Sequence, residues 1–183
     1  MRKLLIFVVA LTGALSTSAI AGSFTSSDVT NFVTAISKLE ALEDKFPEVD
    51  LSDSIGSDGD ILNLVSDDGT LFLFQLIGTK LKGNNEVFKA MDAAVKESGF
   101  SSYSNFSVAA DSIMMAYIAT QTDTDELAQM KSMTASMPEA MMPPGLKEQM
   151  ASIEKLMGAV ERVPADDLAT IKPHLDDLNR AFD

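Results

Sequence analysis

The sequence predicts an all-α fold: a single domain of six or seven helices behind an N-terminal leader. Three observations carry that expectation. Apolar residues recur at spacings of three and four along most of the chain. The breaks between these stretches hold Ser, Thr, Asn, Gly and Pro at the places where helices start and stop. One apolar run, residues 71–77, would suit a buried strand, but no convincing second strand exists to pair with it.

Residues 1–21, MRKLLIFVVALTGALSTSAIA, set Arg2 and Lys3 before an apolar run from Leu4 to about Leu15 and end on Ala19-Ile20-Ala21. This is the layout of a secretory signal peptide with an A-x-A cleavage site, so the helical domain is expected to be 22–183. A bilayer span needs roughly 20 apolar residues. Ser16, Thr17 and Ser18 interrupt this run first, so no stable membrane anchor is expected after cleavage. The chain has no cysteine. That rules out a lipidated N-terminus, disulfides, thiolate metal sites and a cysteine nucleophile, and with the short basic leader it points to a periplasm, or to secretion.

The helices follow in order. Val29, Phe32, Val33, Ile36, Leu39, Leu42 and Phe46 form an amphipathic stripe, capped at Ser26 or Ser27 and stopped before Pro47. The acidic stretch EVDLSDSIGSDGD reads as a loop, and residues 61–65 as a short helix ended by Gly69. Residues 71–77 are apolar on every side except Gln75, which fits a buried strand or a central helix. Thr70 as N-cap and Gly83 as the C′ residue favour a helix over 70–82. Asn84 or Asn85 caps a helix through Ser98 that buries Val87, Phe88, Met91, Ala94 and Val95. Gly99 then takes the left-handed C′ position, with Phe100 as its apolar contact. Ser101 or Ser102 starts the next helix, with Tyr103, Phe106, Ala110, Ile113, Met114 and Tyr117 as its stripe.

Thr122 and Thr124 open a helix of about 124–137, and Pro138, Pro143 and Pro144 mark a bend. With Pro144 at N1, Leu146, Met150, Ile153, Met157 and Val160 repeat as a heptad seam. After Pro164, Leu168, Ile171, Leu175, Leu178 and Phe182 continue the pattern. Pro173 falls inside it and is expected to kink or restart the helix, since it costs roughly 3 kcal/mol in a straight one.

Two pieces, VKESGFSSYSNF with the downstream MMAYIA and the C-terminal IKPHLDDLNRAF, resemble segments of uncharacterised exported helical proteins of Gram-negative bacteria. The resemblance implies an exported helical protein. No activity is attached to that group.

Several chemistries lack their parts. The formal charge is −13, and because Arg2 and Lys3 leave with an acid-free leader it becomes −15 after cleavage. Such a chain repels phosphate backbones, so no nucleic acid is expected as partner. There is no G-x-x-x-x-G-K-[ST] and no G-x-G-x-x-G. The lone histidine, His174, has Asp176 and Asp177 near it in sequence but no G-x-S-x-G nucleophile elbow to serve. One histidine without cysteine cannot build a zinc site. Asp50, Asp53, Asp58, Asp60, Asp67 and Asp68, with Gly56, Gly59 and Gly69, form an acidic stretch that could attract Ca2+, but it lacks the EF-hand pattern and caps and turns account for it. Without tryptophan and with two tyrosines, a sugar-stacking glycosidase is disfavoured. No catalytic residue and no cofactor are expected.

The remaining feature is MKSMTASMPEAMMPPGLKEQM, residues 130–150, which holds six of the eleven methionines. Met130, Met133 and Met137 share one helical face and thioethers select Cu(I), which makes them metal candidates. Without them the helix 124–137 keeps only Leu127 and two alanines to bury, so packing explains them better. Met141 and Met142, between the prolines, have no such role. With Met137 they are the expected contact surface for a protein partner, an unfolded client or an apolar ligand, because unbranched, polarizable side chains adapt to varied surfaces. The expectation is an exported, non-enzymatic binding protein, with Cu(I) or, after it, Ca2+ binding as the alternative.

Overall fold

The computed structural model describes residues 23–47, 64–122 and 146–182, together with the isolated positions Gln129 and Ser132. These form α1 (Ser26–Glu43), α2 (Leu73–Leu81), α3 (Asn85–Glu97), α4 (Tyr103–Gln121), α5 (Leu146–Glu161), α6 (Ala165–Ile171) and α7 (Leu175–Phe182), an all-α bundle as the periodicity predicts. The acidic stretch over 48–63, the helix expected at 124–137 apart from Gln129 and Ser132, and the bend from Pro138 to Pro144 lie outside the described residues. No described helix is long and apolar enough to cross a membrane.

Helix α4 is the hub: α1, α2, α3, α5 and α6 all pack on it. The reason is compositional, since Tyr103, Phe106, Ala110, Ile113, Met115 and Ala116 bury a face broad enough to serve several partners. Met115 is the buried member of the Met114-Met115 pair, where the stripe had pointed to Met114. At the centre Phe106 touches four rings: Phe74 at 5.4 Å, Phe32 at 6.2 Å, Phe100 at 5.3 Å and Tyr103 at 5.5 Å between centroids. Full burial of each such side chain contributes about 1.5–3 kcal/mol, so this cluster anchors α1, α2 and α4 to one another. Phe182 of α7 closes the far side against Phe32 and Tyr117.

The caps are partly as expected. Asn84 caps α3 and Ser102 caps α4. Gly99 has φ +106, its N–H reaches the Lys96 carbonyl, and the Phe100 N–H reaches that of Val95, the two bonds of a Schellman motif. Helix α1 is capped by Thr25, one residue before the expected serines. Asp28 lies three positions on and accepts the Thr25 N–H at 2.8 Å, which completes a capping box at Thr25.

Residues 64–83 correct the sequence reading. Val65 is not helical but pairs with Leu71 in an isolated antiparallel bridge, and α2 begins only at Leu73. The run that suited both strand and helix therefore uses both conformations, two residues apart. Thr70 does not cap α2: its N–H bonds within the preceding turn, and the N-cap, Phe72, offers no side-chain acceptor. Gly83 does not take the left-handed conformation, because α2 ends through ordinary right-handed Lys82, with the Asn84 N–H on the Leu81 carbonyl. At Pro173 the helix restarts, one of the two outcomes expected: α6 ends at Ile171, and a single 3-10 turn, Lys172–His174, carries the proline near its start and leads into α7 at Leu175. Ile171 and Leu178 stay fully buried on either side of it.

Candidate functional site

Among the clefts of the described residues, one of about 210 Å3 is lined by three aspartates and is built where the turn before α2, the middle of α4, the end of α5 and the start of α6 meet. The turn forms first, from local chemistry. The Ser66 N–H bonds to the Thr70 carbonyl at 2.9 Å, the Gly69 N–H to the Ser66 carbonyl at 2.9 Å, and Gly69 adopts φ +88, a conformation that favours glycine. Asp68 accepts from the Ser66 hydroxyl and, at 3.0 Å, from the Thr70 N–H, and these bonds hold its carboxyl down at about 2. Helix α5 fastens the turn from outside: Lys155 pairs with Asp67 at 3.1 Å and Arg162 Nη1 donates to the Asp67 carbonyl at 3.4 Å. The contact is close enough that a Cβ on Gly69 would stand 3.0 Å from Arg162 Nη1 and 3.2 Å from Ala159 Cα.

Asp111 forms the inner wall. It lies on α4, 2% exposed, among side chains that bury the hub face. Its carboxylate accepts the Phe74 N–H at 2.8 Å, the Gln75 N–H at 3.4 Å and Gln75 Nε2 at 3.0 Å. Asp111 is thus the missing cap of α2, supplied from 37 positions away in sequence. Burial pushes its carboxyl up to about 6, and the hydrogen bonds, which favour the ionised form, offset only part of that effect. The Tyr103 hydroxyl, donating to the Phe74 carbonyl at 3.1 Å, completes the polar lining of this core; its pKa rises through burial and, after that, through the nearby Asp111 charge.

Asp167, also 2% exposed, forms the opposite wall from the first turn of α6. It accepts the Ser23 N–H at 2.8 Å, which ties the start of the described chain to a helix 144 positions later. A second tie lies nearby in sequence: Ser26 Oγ and His174 Nε2 are 2.5 Å apart, joining the first residue of α1 to the Pro173 turn. Neither Ser26 nor His174 lines the cleft, and among the described residues no carboxylate bonds the imidazole. The pair lacks the orienting group and the substrate-facing cavity that an acyl-transfer site requires.

Chemically, the cleft offers carboxylates at Asp111, Asp167 and Asp68 against one cation, Arg162, at its rim. That arrangement favours a small cationic group. Among the described residues no three His, Asp or Glu side chains are grouped to hold a metal ion. Of the acidic residues weighed for Ca2+, Asp67 and Asp68 are occupied by Lys155 and by the turn, and Asp50, Asp53, Asp58 and Asp60 lie outside the described residues.

Met130, Met133, Met137, Met141 and Met142 also lie outside the described residues. The sequence reading passed over Asp111 and Asp167. Each carried a signal: Asp111 stands four positions before buried Met115, and Asp167 four before buried Ile171, so both are charged residues on burying faces. Compared with known protein families, curated proteins and solved structures, the chain matches none of them.

Proposed function

We propose that this chain is an exported, non-enzymatic binding protein that acts in the periplasm, or after secretion, through the Met-rich segment between α4 and α5. What supports the reading is how the side chains divide their roles. In the described residues, the groups with the most chemical potential are tied to the frame: Asp111 to α2, Asp167 to Ser23, His174 to Ser26. The segment that joins α4 to α5 instead concentrates Met130, Met133, Met137, Met141 and Met142. The helices it joins carry partly buried apolar residues, Tyr117 and Ile118 on α4 and Ile153, Leu156 and Met157 on α5, so an apolar contact made by the segment would adjoin side chains of the same character. A protein partner, an unfolded client or an apolar ligand fits such a surface.

The test is aggregation suppression of a chemically denatured protein by residues 22–183. The Met141→Ser, Met142→Ser double variant is expected to lose much of the suppression while its melting temperature falls by no more than a few degrees, roughly 1 kcal/mol for a domain of this size. A double variant that unfolds would assign those methionines to the core and end the reading. So would one that suppresses aggregation as well as the parent.

A further inference from the structure

We infer that the groove between α2 and α4, walled by Phe88 of α3 and Tyr103 of α4 and edged by Lys82, binds a small aromatic carboxylate. The groove is made entirely of described residues, apart from the Met-rich segment, and the contact proposed above does not require it.

The groove, of about 200 Å3, forms where Gly78 of α2 meets Tyr103. A Cβ at Gly78 would stand 2.4 Å from Tyr103 Cε1, so a residue without a side chain is what lets the two helices come this close. Phe88 packs beside the same ring, with centroids 5.5 Å apart and planes tilted by 58°. Tyr103 is 3% exposed and its hydroxyl donates to the Phe74 carbonyl, so what it can offer a ligand is ring surface. Two aromatic walls set at an angle accept a flat ring through offset or edge contacts.

The polar groups around these walls favour one sign of charge. The chain carries 27 acidic residues against 14 basic ones, yet no carboxylate lines this groove and Lys82 does. Among the described residues no ion pair includes Lys82. The hydroxyls of Thr79 and Ser107 donate to the carbonyls of Gln75 and Ser104. Gln75 gives one of its two amide N–H groups to Asp111, which leaves the second, and the exposed hydroxyl of Ser104 adds another donor. A ligand therefore meets one cation and neutral hydrogen-bond donors. That set matches a single negative charge spread over acceptor oxygens, which is a carboxylate. A phosphate dianion would leave one charge without a partner, and an ammonium would face Lys82. Volume sets the size: small-molecule pockets usually span roughly 300–1,000 Å3, so about 200 Å3 admits a single ring with its acid group.

The experiment titrates isotopically labelled protein with phenylacetate, phenylacetamide or benzylammonium at low ionic strength and follows the backbone amide signals. Phenylacetate is expected to shift the Gln75, Gly78, Thr79 and Ser104 amides and to saturate with a Kd of roughly 0.1–1 mM, the range open to a ligand of so few atoms. Phenylacetamide, which keeps the ring without the charge, should bind the same amides about fivefold more weakly, the size of an exposed ion pair. Lys82→Gln, at an exposed position, should fold as the parent does and bring phenylacetate down to the affinity of phenylacetamide. Failure to saturate by about 10 mM phenylacetate, shifts centred on other elements, or an undiminished preference for the anion in Lys82→Gln would each overturn the inference. Benzylammonium binding at these amides as tightly as phenylacetate would overturn it as well.

Discussion

Replacing Asp111 by Asn should make the protein more stable relative to the parent as pH rises. The parent carboxyl has its pKa lifted from an ordinary 3.8 to about 6 by burial on α4. A group whose folded pKa is raised leaves the folded chain binding more protons than the unfolded one between those two values, so stability falls as pH rises through that window. A shift of about two units at about 1.4 kcal/mol each amounts to a loss of about 3 kcal/mol between pH 4 and pH 7. Asn keeps the shape and one acceptor for the Phe74 N–H at 2.8 Å, and it has no charge to desolvate. Urea denaturation of parent and Asp111→Asn at intervals from pH 4 to pH 7 measures the difference directly. The variant's stability minus the parent's should grow by about 3 kcal/mol across the range, or roughly 6–12 °C in melting temperature. Parallel curves would show instead that the α2 amides hold the carboxylate ionised at no net penalty.

Three further outcomes follow from the same structure. Asp111→Ala, which leaves the Phe74 and Gln75 N–H groups without their acceptor, should cost about 2 kcal/mol or more at pH 5, where Asp111→Asn costs less; equal losses at that pH would deny the capping role. In Gly78→Ala the new Cβ would stand 2.4 Å from Tyr103 Cε1 at a buried contact of α2 with α4. Overpacking should outweigh the gain in helix propensity and lower stability by about 1–2 kcal/mol in urea titrations, so a stabilised variant would show that Tyr103 moves freely. Cu(I) titrated against a competing chelator should find no site tighter than micromolar; a tight site lost on changing Met130, Met133 and Met137 would make the stretch a soft-metal centre.

The parts of the fold legible in the sequence are those fixed by near neighbours. The stripes of α1, α3 and α4 and the Gly99 stop all depend on residues within one or two turns, and the helical pattern around Pro173 is likewise local. Even the Thr25 cap was readable, because a capping box selects the hydroxyl three positions before Asp28. What was not legible was made at long range. Leu71 takes a bridge rather than a helical turn because Val65 pairs with it, and α2 starts at Leu73 because Asp111 supplies the acceptor that Thr70 does not. The cleft draws its walls from Ser23, Asp68, Asp111, Arg162 and Asp167, positions no periodicity relates. A charged residue on a burying face hints that a partner exists. It does not say which segment provides it.

Methyl NMR of methionine-labelled residues 22–183, titrated with an unfolded client, asks whether the Met-rich segment makes the contact while the rest of the fold holds the frame. The Met137, Met141 and Met142 methyl signals should shift on titration, while those of Met91 and Met115, 2% and 6% exposed in the core, should stay in place. Signals from Met137, Met141 and Met142 that do not respond, with or without changes at Met91 and Met115, would contradict it.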